Sequence, residues 1–391
     1  MIYKLSDIFD LQMGKTPTRS DLSYWQNGSY DWISISDLNT DRKYISDTKE
    51  RITTKAVRES GIKKIPANTV IMSFKLSIGK TAITSHDMFS NEAIMAFIDR
   101  KVIRINPDYI YYLLHALDWN KRANKAVKGR TVNKKIISQT QVNIPDYQTQ
   151  LRIVKIMDST RKRVKIQKDI LSKLDTLIKA RFVEMFGDPM IKKDDRNLRK
   201  LKEICIINPK KNLASKFSND IEVSFVPMSS VSEQGDIDVS QRKNYSEVRK
   251  GFTYFAENDV LFAKITPCME NGKGAIATGL INGIGFGSTE FHILRPIKNI
   301  TNPYWIYVLT SFKSFRKLAE VNMTGSAGQR RVPATFLKDY EVRLPPIELQ
   351  NEFASFVQQV DKSKVVNASI MKYIISIRFY LYFKENKEGA R

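Results

Sequence analysis

The sequence predicts an α+β fold in which two similar α/β domains are separated by two long helices that pair as an antiparallel coiled coil. Two observations predict it. One is an internal repeat along the 391 residues, and the other is a heptad pattern in two segments without Pro or Gly, 148–186 and 347–385. We expect a first domain at 1–146, a central helix at 147–188, a second domain at 189–345 and a C-terminal helix at 346–391.

The repeat is clearest in two segments that lie 196 positions apart. Residues 106–113 have the sequence NPDYIYYL, and residues 302–309 have the sequence NPYWIYVL. Other matches follow in the same order with small drifts, such as Gln150 against Gln350. Because loop insertions cause such drifts, we interpret the chain as two copies of one unit, related by an approximate two-fold rotation.

Each copy begins with the composition of short strands and ends with a helix. The first part is rich in Ile, Val, Phe, Tyr and Thr and is interrupted by Gly, Asn, Asp and Pro, which favours strands joined by turns. Pro107 and Pro303 then predict helix starts, since Pro is favourable in a first helical turn. We expect these helices over roughly 107–126 and 303–321.

The long segments carry apolar residues at the seven-residue spacing of a coiled-coil seam. The series in the first helix is Met157, Val164, Leu171, Ile178 and Met185, and the series in the second is Phe353, Val360, Asn367, Ile374 and Leu381. A companion series three residues further on is Phe356, Ser363, Ile370 and Ile377. We expect Asn367, a polar residue within the seam, to fix the register.

The charge and composition limit the classes of protein that fit. Lys and Arg number 64 against 41 Asp and Glu, so the net charge is +23 and a polyanion is the expected partner. Hydrophobic residues make up 42%, too many for a disordered basic tail. The two cysteines, Cys205 and Cys268, exclude a disulfide scaffold. With no signal peptide and no apolar run of about 18 residues, we expect a cytoplasmic protein without a membrane span.

Motifs for catalysis are weak in this sequence. Residues 14–16 (GKT) end like a phosphate-binding loop, but that loop requires a Gly where this chain has Phe9. The histidines His86, His115 and His292 are scattered and give no metal-ligand spacing with the two distant cysteines. No nucleophile–base arrangement is evident either. The sequence therefore favours binding over catalysis, and we expect neither a metal nor a cofactor in this chain.

Basic loops at matching places in the two copies predict contacts with DNA. Lys and Arg neutralise phosphates, Gly lets backbone N–H groups approach closely, and Arg or Gln can bond to base edges. The first loop supplies Lys125, Lys128, Arg130, Lys134 and Lys135, and the second supplies Ser326, Gln329, Arg330 and Arg331. A solvated surface loop remains the alternative for each.

Short polar segments among aromatic residues supply further candidates for DNA contact. They are Lys15, Thr16, Arg19, Ser36, Asp37, Lys75 and Lys80 in the first copy, and Lys264, Asn271 and Lys273 in the second. Segment 264–273 aligns with segment 74–80 but is three residues longer and has different polar groups. Such divergence is expected if the two domains bind different sequences, although an ordinary hairpin loop explains any single residue.

These motifs resemble the specificity (S) subunit of type I restriction–modification systems over essentially the whole chain. The matching segments are 14–19 (GKTPTR), 32–38 (WISISDL), 181–189 (RFVEMFGDP), 261–273 (LFAKITPCMENGK) and 345–350 (PPIELQ). The first copy of the last motif, 145–150 (PDYQTQ), is a looser match that has lost one Pro.

The resemblance implies a function and a set of partners. An S subunit binds a bipartite double-stranded DNA target, one half-site per domain, and positions two methyltransferase (M) subunits and the restriction (R) subunits for adenine-N6 methylation or cleavage. S-adenosylmethionine belongs to the M subunit, and ATP and Mg belong to the R subunit. M subunits dock on the helical regions, where we expect exposed apolar residues such as Leu151, Ile153, Ile166 and Leu177.

Three alternatives remain at this point. A stand-alone nuclease or methyltransferase is disfavoured because the motifs for its chemistry are weak. A specificity chain from a related system, with methylation and cleavage fused in one polypeptide, would have the same sequence features. A non-catalytic coiled-coil scaffold that binds RNA or another acidic surface would also explain the charge.

Overall fold

The structure is a computed structural model that describes residues 1–39, 42–75, 77–119, 124–126, 129–189, 198–210, 220–326 and 328–388. Side chains are described in these ranges except at residues 39, 124–126, 129–131, 373 and 375–388. The chain divides into two compact units. The first unit comprises Met1–Ile166 with Met371–Arg391, and the second comprises Gln167–Ile370.

The first unit is built from short strands. They are β1 (Ile2–Lys4), β2 (Phe9–Met13), β3 (Tyr30–Ile33), β4 (Tyr44–Ile45), β5 (Glu50–Ile52), β6 (Val70–Ser73), β7 (Thr81–Thr84), β8 (Phe89–Ser90), β9 (Ile94–Asp99), β10 (Asn124–Ala126), β11 (Gly129–Thr131) and β12 (Gln141–Asn143). The described part contains a five-stranded sheet in the order β2-β9-β6-β7-β4 and a three-stranded sheet in the order β5-β3-β8. Strands β1 and β12 pair with each other, as do β10 and β11.

The first unit also contains α-helices in its described part. They are α1 (Leu5–Ile8), α2 (Thr54–Glu59), α3 (Pro107–Ala116), α4 (Lys134–Gln139) and the start of α5 (Tyr147–Phe186). Apolar residues of the five-stranded sheet, of α3 and of the first turns of α5 share one buried cluster. The long helix is therefore anchored in the core of the domain that precedes it.

The second unit repeats this plan. Its strands are β13 (Leu198–Lys200), β14 (Cys205–Ile207), β15 (Glu222–Val226), β16 (Arg242–Asn244), β17 (Thr253–Ala256), β18 (Val260–Ala263), β19 (Gly274–Ile276), β20 (Ile284–Gly287), β21 (Phe291–Pro296) and β22 (Glu341–Arg343). The sheets have the orders β14-β21-β18-β19 and β16-β15-β20-β17, and β13 pairs with β22. The helices are α6 (Leu201–Ile204), α7 (Tyr245–Val248), α8 (Pro303–Ser311), α9 (Lys313–Val321), α10 (Ala334–Asp339) and α11 (Ile347–Glu388).

Two buried glutamines make the same hydrogen bonds in the two units. Gln150 Nε2 donates to two backbone carbonyls at 3.1 and 3.0 Å, and its Oε1 accepts from the Asn106 backbone N–H at 2.8 Å. Gln350 repeats all three bonds, at 3.1, 2.8 and 2.9 Å, the last from Asn302. Each glutamine thus ties the start of a long helix to the N-cap of the Pro-led helix, which gives a physical reason for the repeated motif.

The Pro-led helices begin where the sequence predicts but are shorter than expected. The first ends at Ala116 rather than near 126, and residues 124–126 form strand β10. Leu117 takes an extended conformation, and the Trp119 indole N–H donates to the carbonyl of Leu114 at 2.8 Å, which terminates the helix. The second helix breaks at Phe312, which is extended, and continues as a separate helix, α9.

Within the second unit, α5 and α11 run antiparallel. The rings of Phe182 and Phe353 meet edge to face with centroids 5.5 Å apart, and Lys364 Nζ lies 2.7 Å from an Asp175 carboxylate oxygen. Ile178, Phe353 and Val360, all predicted seam residues, are buried. The described part of the chain therefore confirms an antiparallel helical pair with apolar residues at heptad positions.

The predicted companion series of α11 is wrong by one position. Ser363 is exposed and Ile370 is 41% exposed, whereas Val357 is buried, so the second seam position follows the first by four residues. Asn367 Nδ2 donates to the carbonyl of Ser363 in its own helix at 2.8 Å. Polar contacts between the two helices come instead from the Lys364–Asp175 and Arg181–Glu352 ion pairs. The side chains of Ile377 and Leu381 lie outside the described part.

Candidate nucleic-acid interface

In the first domain, the segment after β2 and the loop after β6 converge on one carboxylate. Backbone hydrogen bonds join Lys15 N to Ser90 O at 2.8 Å, and the Thr16 hydroxyl donates to Glu92. The Thr16 hydrogen bond lowers the pKa of Glu92, with smaller contributions from the charges of Lys75 and Arg19. The structure therefore brings together Lys15, Thr16, Arg19 and Lys75, which the sequence places in two separate segments.

Arg19 is held flat against the domain surface. Its guanidinium carbon lies 3.9 Å from the centroid of the Trp25 ring and 4.8 Å from that of Trp32. The guanidinium also donates through two nitrogens to the Glu50 carboxylate. This hydrogen-bonded pair raises the pKa of Arg19. Arg19 is thus a half-exposed, oriented cation whose charge is already matched within the fold.

Two of the predicted contact residues organise a turn. Asp37 is buried, and its carboxylate accepts from the backbone N–H groups of Ser34 at 2.8 Å and Lys49 at 3.1 Å. The Ser36 hydroxyl lies 2.8 Å from the Ser34 hydroxyl. Asp37 therefore supports the loop from inside rather than presenting its carboxylate to solvent, and Ser36 stays half-buried beside it.

The basic loop of the first domain is described only in part. Lys125 and Arg130 are register partners in the β10–β11 hairpin, but their side chains lie outside the described part, as does the whole of Lys128. Lys134 and Lys135 are exposed in the first turn of α4. Cations are unfavourable at a helix N-terminus, so their placement there is not explained by helix stability. Lys80 is half-buried at the end of the loop after β6.

In the second domain, the two predicted contact segments form one surface. Thr266 N donates to Arg330 O at 3.0 Å, and Val332 N donates to Lys264 O at 2.9 Å. An antiparallel bridge also joins Ile265 and Arg331. The sequence placed these segments about 60 residues apart without linking them. The structure joins 264–273 and 324–331 into a single basic strip, which we call the second-domain strip.

The cations of the second-domain strip differ in how far their charges are already bonded within the protein. Arg331 donates through Nε and Nη2 to the two carboxylate oxygens of Glu290, both at 2.9 Å, and this pairing lowers the pKa of Glu290. Burial lowers the pKa of the neighbouring Lys264, against the opposing effect of Glu290. Arg330 donates from Nη2 to the carbonyl of Glu320 at 2.7 Å. Lys273 donates to the carbonyl of Met228 at 3.1 Å.

Neutral polar side chains complete the second-domain strip. Asn271, Ser326 and Gln329 are exposed. The backbone N–H of Gln329 donates to the carbonyl of Ser326 at 3.0 Å, so the turn that carries both is internally bonded. Exposed amide and hydroxyl groups of this kind can discriminate between base edges.

Two buried residues that the sequence analysis did not assign to this surface hold the strip in place. His292 on β21 donates from Nε2 to the carbonyl of Val332 at 2.8 Å, while its Nδ1 accepts from Asn208 at 3.0 Å. Arg316 on α9 donates to backbone carbonyls of the loop after β18. Burial lowers the pKa of Arg316 to about 10, which leaves it charged at neutral pH. No sequence pattern marks either residue, because their partners are backbone groups.

Metal-ligand groups and membrane-spanning helices are absent from the described part of the chain. Within the described ranges, no three His, Cys, Asp or Glu side chains are grouped closely enough to hold a metal ion. None of the described helices is both long and apolar enough to cross a membrane.

The comparison with known families identifies the class of protein. The sequence model of the type I restriction modification DNA specificity domain matches residues 1–176 and 193–372, so the chain belongs to this family. Two matches within one chain agree with the repeated architecture. The fold consists of two similar recognition-type domains and two long helices.

Individual relatives agree with this assignment. The chain is 44% identical over 153 residues to the type I restriction enzyme EcoAI specificity subunit of Escherichia coli, a segment that covers 38% of this chain and 25% of that protein. It is 22% identical over 405 residues to the type I restriction enzyme MjaIX specificity subunit of Methanocaldococcus jannaschii, covering 96% and 90%. The chain thus spans about a quarter of the length of the Escherichia coli relatives that it matches first.

A solved structure shows the same fold. It is a chain from a study of the structural basis of complex assembly and conformational transition of the type I R-M system. The two chains align with a TM-score of 0.55 and 14% sequence identity. The alignment covers 100% of this chain and 96% of that chain.

Proposed function

We propose that this chain is the DNA-recognition subunit of a type I restriction–modification complex and that each domain binds one half of a bipartite duplex target. The observation that carries the proposal is the second-domain strip, in which exposed Asn271, Ser326 and Gln329 lie among Lys264, Arg330 and Arg331. Phosphate contacts by the cations supply affinity, and the neutral polar groups supply base discrimination.

The first domain supports the same role with different chemistry. Its corresponding surface carries Lys15, Thr16, Arg19 and Lys75 around the Glu92 carboxylate. The two domains share strand order around the loop after β6 and the loop after β18, but they differ in the polar groups that these loops present. Because the two loops present different polar groups on a similar scaffold, we expect the two domains to bind DNA half-sites of different sequence.

Catalysis is assigned to partner subunits. We propose that the chain itself transfers no methyl group and cuts no DNA, and that two M subunits supply S-adenosylmethionine and R subunits supply ATP and Mg. Exposed apolar residues on the long helices support docking of a partner there: Leu151 (37% exposed), Ile166 (46%), Leu177 (47%), Val365 (66%) and Val366 (58%). Ile153, which the sequence analysis grouped with them, is 3% exposed and belongs to the domain core.

Selection from a randomised duplex library tests the proposal. The full chain, alone and with a methyltransferase subunit, is incubated with duplexes that are random over about three helical turns, and the bound fraction is sequenced. We expect two short enriched elements separated by a fixed gap. If about six phosphates are neutralised, log K should fall with log salt with a slope near −5. Enrichment of no sequence, or equal binding to RNA, would favour the scaffold alternative.

A second assay separates recognition from catalysis. The purified chain is incubated with duplex DNA and labelled S-adenosylmethionine, with and without the methyltransferase subunit. We expect methyl transfer only when both proteins are present. Methyl transfer by this chain alone would contradict the proposal and favour a fused or stand-alone enzyme.

A further inference from the structure

Arg316 is a buried cation that donates hydrogen bonds to backbone carbonyls of the second-domain strip. It is 5% exposed, and the centroid of the Phe262 ring lies 4.3 Å from its guanidinium carbon. Its guanidinium donates to four carbonyl oxygens: Thr310 at 2.7 Å, Met269 at 3.1 Å, Lys273 at 3.2 Å and Gly272 at 3.3 Å. Within the part of the chain that the structure describes, Arg316 forms no ion pair.

This arrangement is costly for a residue that only fills space. A buried charge loses its hydration, and an apolar side chain of similar volume would fill the same site at a lower cost. Here carbonyl dipoles replace the hydration, including that of Thr310 in the last turn of α8, where the helix dipole is negative. Three of the four acceptors belong to residues 269–273, so Arg316 fixes the shape of that loop.

Glycine at position 274 leaves room for this contact. A Cβ added to Gly274 would lie 2.8 Å from the carbonyl oxygen of Leu261 and 3.1 Å from Nη2 of Arg316. Because both distances are shorter than ordinary contacts, a side chain at 274 would push the guanidinium away from the loop. The loop, the glycine and the arginine therefore form one fitted unit.

In the described part of the first domain, a serine bonds the corresponding loop. Ser73 ends β6 as Ala263 ends β18, since both strands pair in the same register with their neighbours. The Ser73 hydroxyl donates to the carbonyl of Ser77 and accepts from Lys80 N at 3.2 Å, so it closes the shorter loop from within. Ala263 has no hydroxyl, and Arg316 supplies the loop-closing hydrogen bonds in its place.

We propose that Arg316 is the positioning residue that sets base discrimination in the half-site bound by the second domain. It holds residues 269–273 in one backbone conformation, so that Asn271 and Lys273 are presented to DNA in fixed positions. The inference rests on the proposed function, because it assigns a role within the same DNA-binding surface. In this proposal Arg316 itself does not contact DNA, since it is 5% exposed and donates to four backbone carbonyls.

The test compares Arg316→Lys and Arg316→Met with Lys317→Met in the full chain. Lys317 is exposed on the same helix, so its variant removes one positive charge without touching the loop. Each protein is subjected to selection from the randomised duplex library, and mismatch penalties are then measured in each half of the enriched target. A wrong base pair ordinarily lowers affinity roughly 5- to 150-fold. For both Arg316 variants we expect this penalty to fall several-fold in one half-site and to stay unchanged in the other.

Hydrogen exchange of the same proteins distinguishes a local effect from loss of folding. We expect faster exchange in residues 268–273 of the Arg316 variants, with strands β18 and β21 still protected. The inference fails if the Arg316 variants keep the mismatch penalties in both half-sites, or if their affinity falls equally for all sequences, which is the effect expected from loss of one charge in Lys317→Met. It also fails if both Arg316 variants lose protection from exchange throughout the second domain. Absence of any enriched motif with the unmodified chain would instead contradict the proposed function.

Discussion

Arg331 and Glu290 form a two-point ion pair, with both donor–acceptor distances at 2.9 Å, on the surface that we assign to DNA. The pair couples Arg331 to Glu290, the residue that precedes strand β21. It also means that Arg331 presents less net charge to a phosphate than its sequence position suggests. A carboxylate paired with a cation on the proposed DNA-binding surface has measurable consequences.

Replacing Glu290 by Gln should strengthen DNA binding. The substitution removes one negative charge and leaves Arg331 free to pair with a phosphate, so the slope of log K against log salt should steepen by about 0.9. Fluorescence anisotropy with a labelled duplex at several salt concentrations measures it. Glu352→Gln, which breaks the Arg181–Glu352 pair on the long helices, is the matched control and should leave the slope unchanged. An unchanged slope in both variants would place Arg331 outside the DNA contact.

The two cysteines should differ in reactivity, and DNA should protect one of them. Burial raises the pKa of Cys205 to about 12, so almost none of it is thiolate at neutral pH, and it is inaccessible. Cys268 is half-buried on the loop after β18. We expect iodoacetamide to label Cys268 alone in the folded chain, and target duplex to slow that labelling several-fold. Equal labelling rates with and without saturating duplex would place the loop away from DNA.

Acidification should destabilise the second domain through His292. Burial lowers the pKa of His292, and a smaller effect of the Lys264 charge acts in the same direction, against the Val332 hydrogen bond and the Glu290 charge. The unfolded chain therefore takes up this proton first as the pH falls, and stability declines below the ordinary histidine pKa of about 6.5.

The measurement is the thermal unfolding midpoint from about pH 7 to about pH 5. His292→Gln keeps a donor for the Val332 carbonyl but cannot gain a proton, so its midpoint should fall less over this range than that of the unmodified chain. A variant that loses as much stability as the unmodified chain would show that other groups dominate.

Lys43 should be important for anchoring α5 in the first domain. Its Nζ lies 2.8 Å from an Asp108 oxygen and 2.7 Å from an Asp158 oxygen, and its side chain is 14% exposed. Lys43→Met leaves two carboxylates without their cation and should cost about 2 kcal/mol, less than a fully buried pair because Asp158 is 45% exposed. Denaturant unfolding measures this loss. Lys101→Met, which breaks the exposed pair with Asp99, should change stability little.

The sequence was sufficient for the repeat and for the long helices, because both depend on periodic signals. Gln150 and Gln350 stand out at the sequence level, and the structure gives them identical bonding. The sequence was not sufficient for the seam of α11, since a heptad alone does not decide between a companion position three or four residues away. The structure places Val357 in that position, since Val357 is buried and Phe356 is only half-buried.

The candidate interface was predictable in its parts but not in its assembly. Lys264 and Arg331 were both candidates, yet only strand pairing between distant segments places them together. Asp37 could not be assigned from the sequence, because Asp is favoured both in turns and at polar surfaces, and the structure shows it bonded within a turn. The role of Arg316 could not be predicted from the sequence, since its hydrogen-bond partners are backbone carbonyl groups, which every residue has.

The loop after β6 and the loop after β18 leave their sheets at equivalent pairs of residues, and this bears on how such a chain acquires new targets. Met72 pairs with Thr81 and Phe262 pairs with Gly274, so loops of different length leave equivalent rungs of the sheet. The strand pairing beneath the loop is the same in both domains, although the loop sequences differ. Loops of different length can therefore stand on the same sheet when the residue that bonds each loop, Ser73 or Arg316, changes with it.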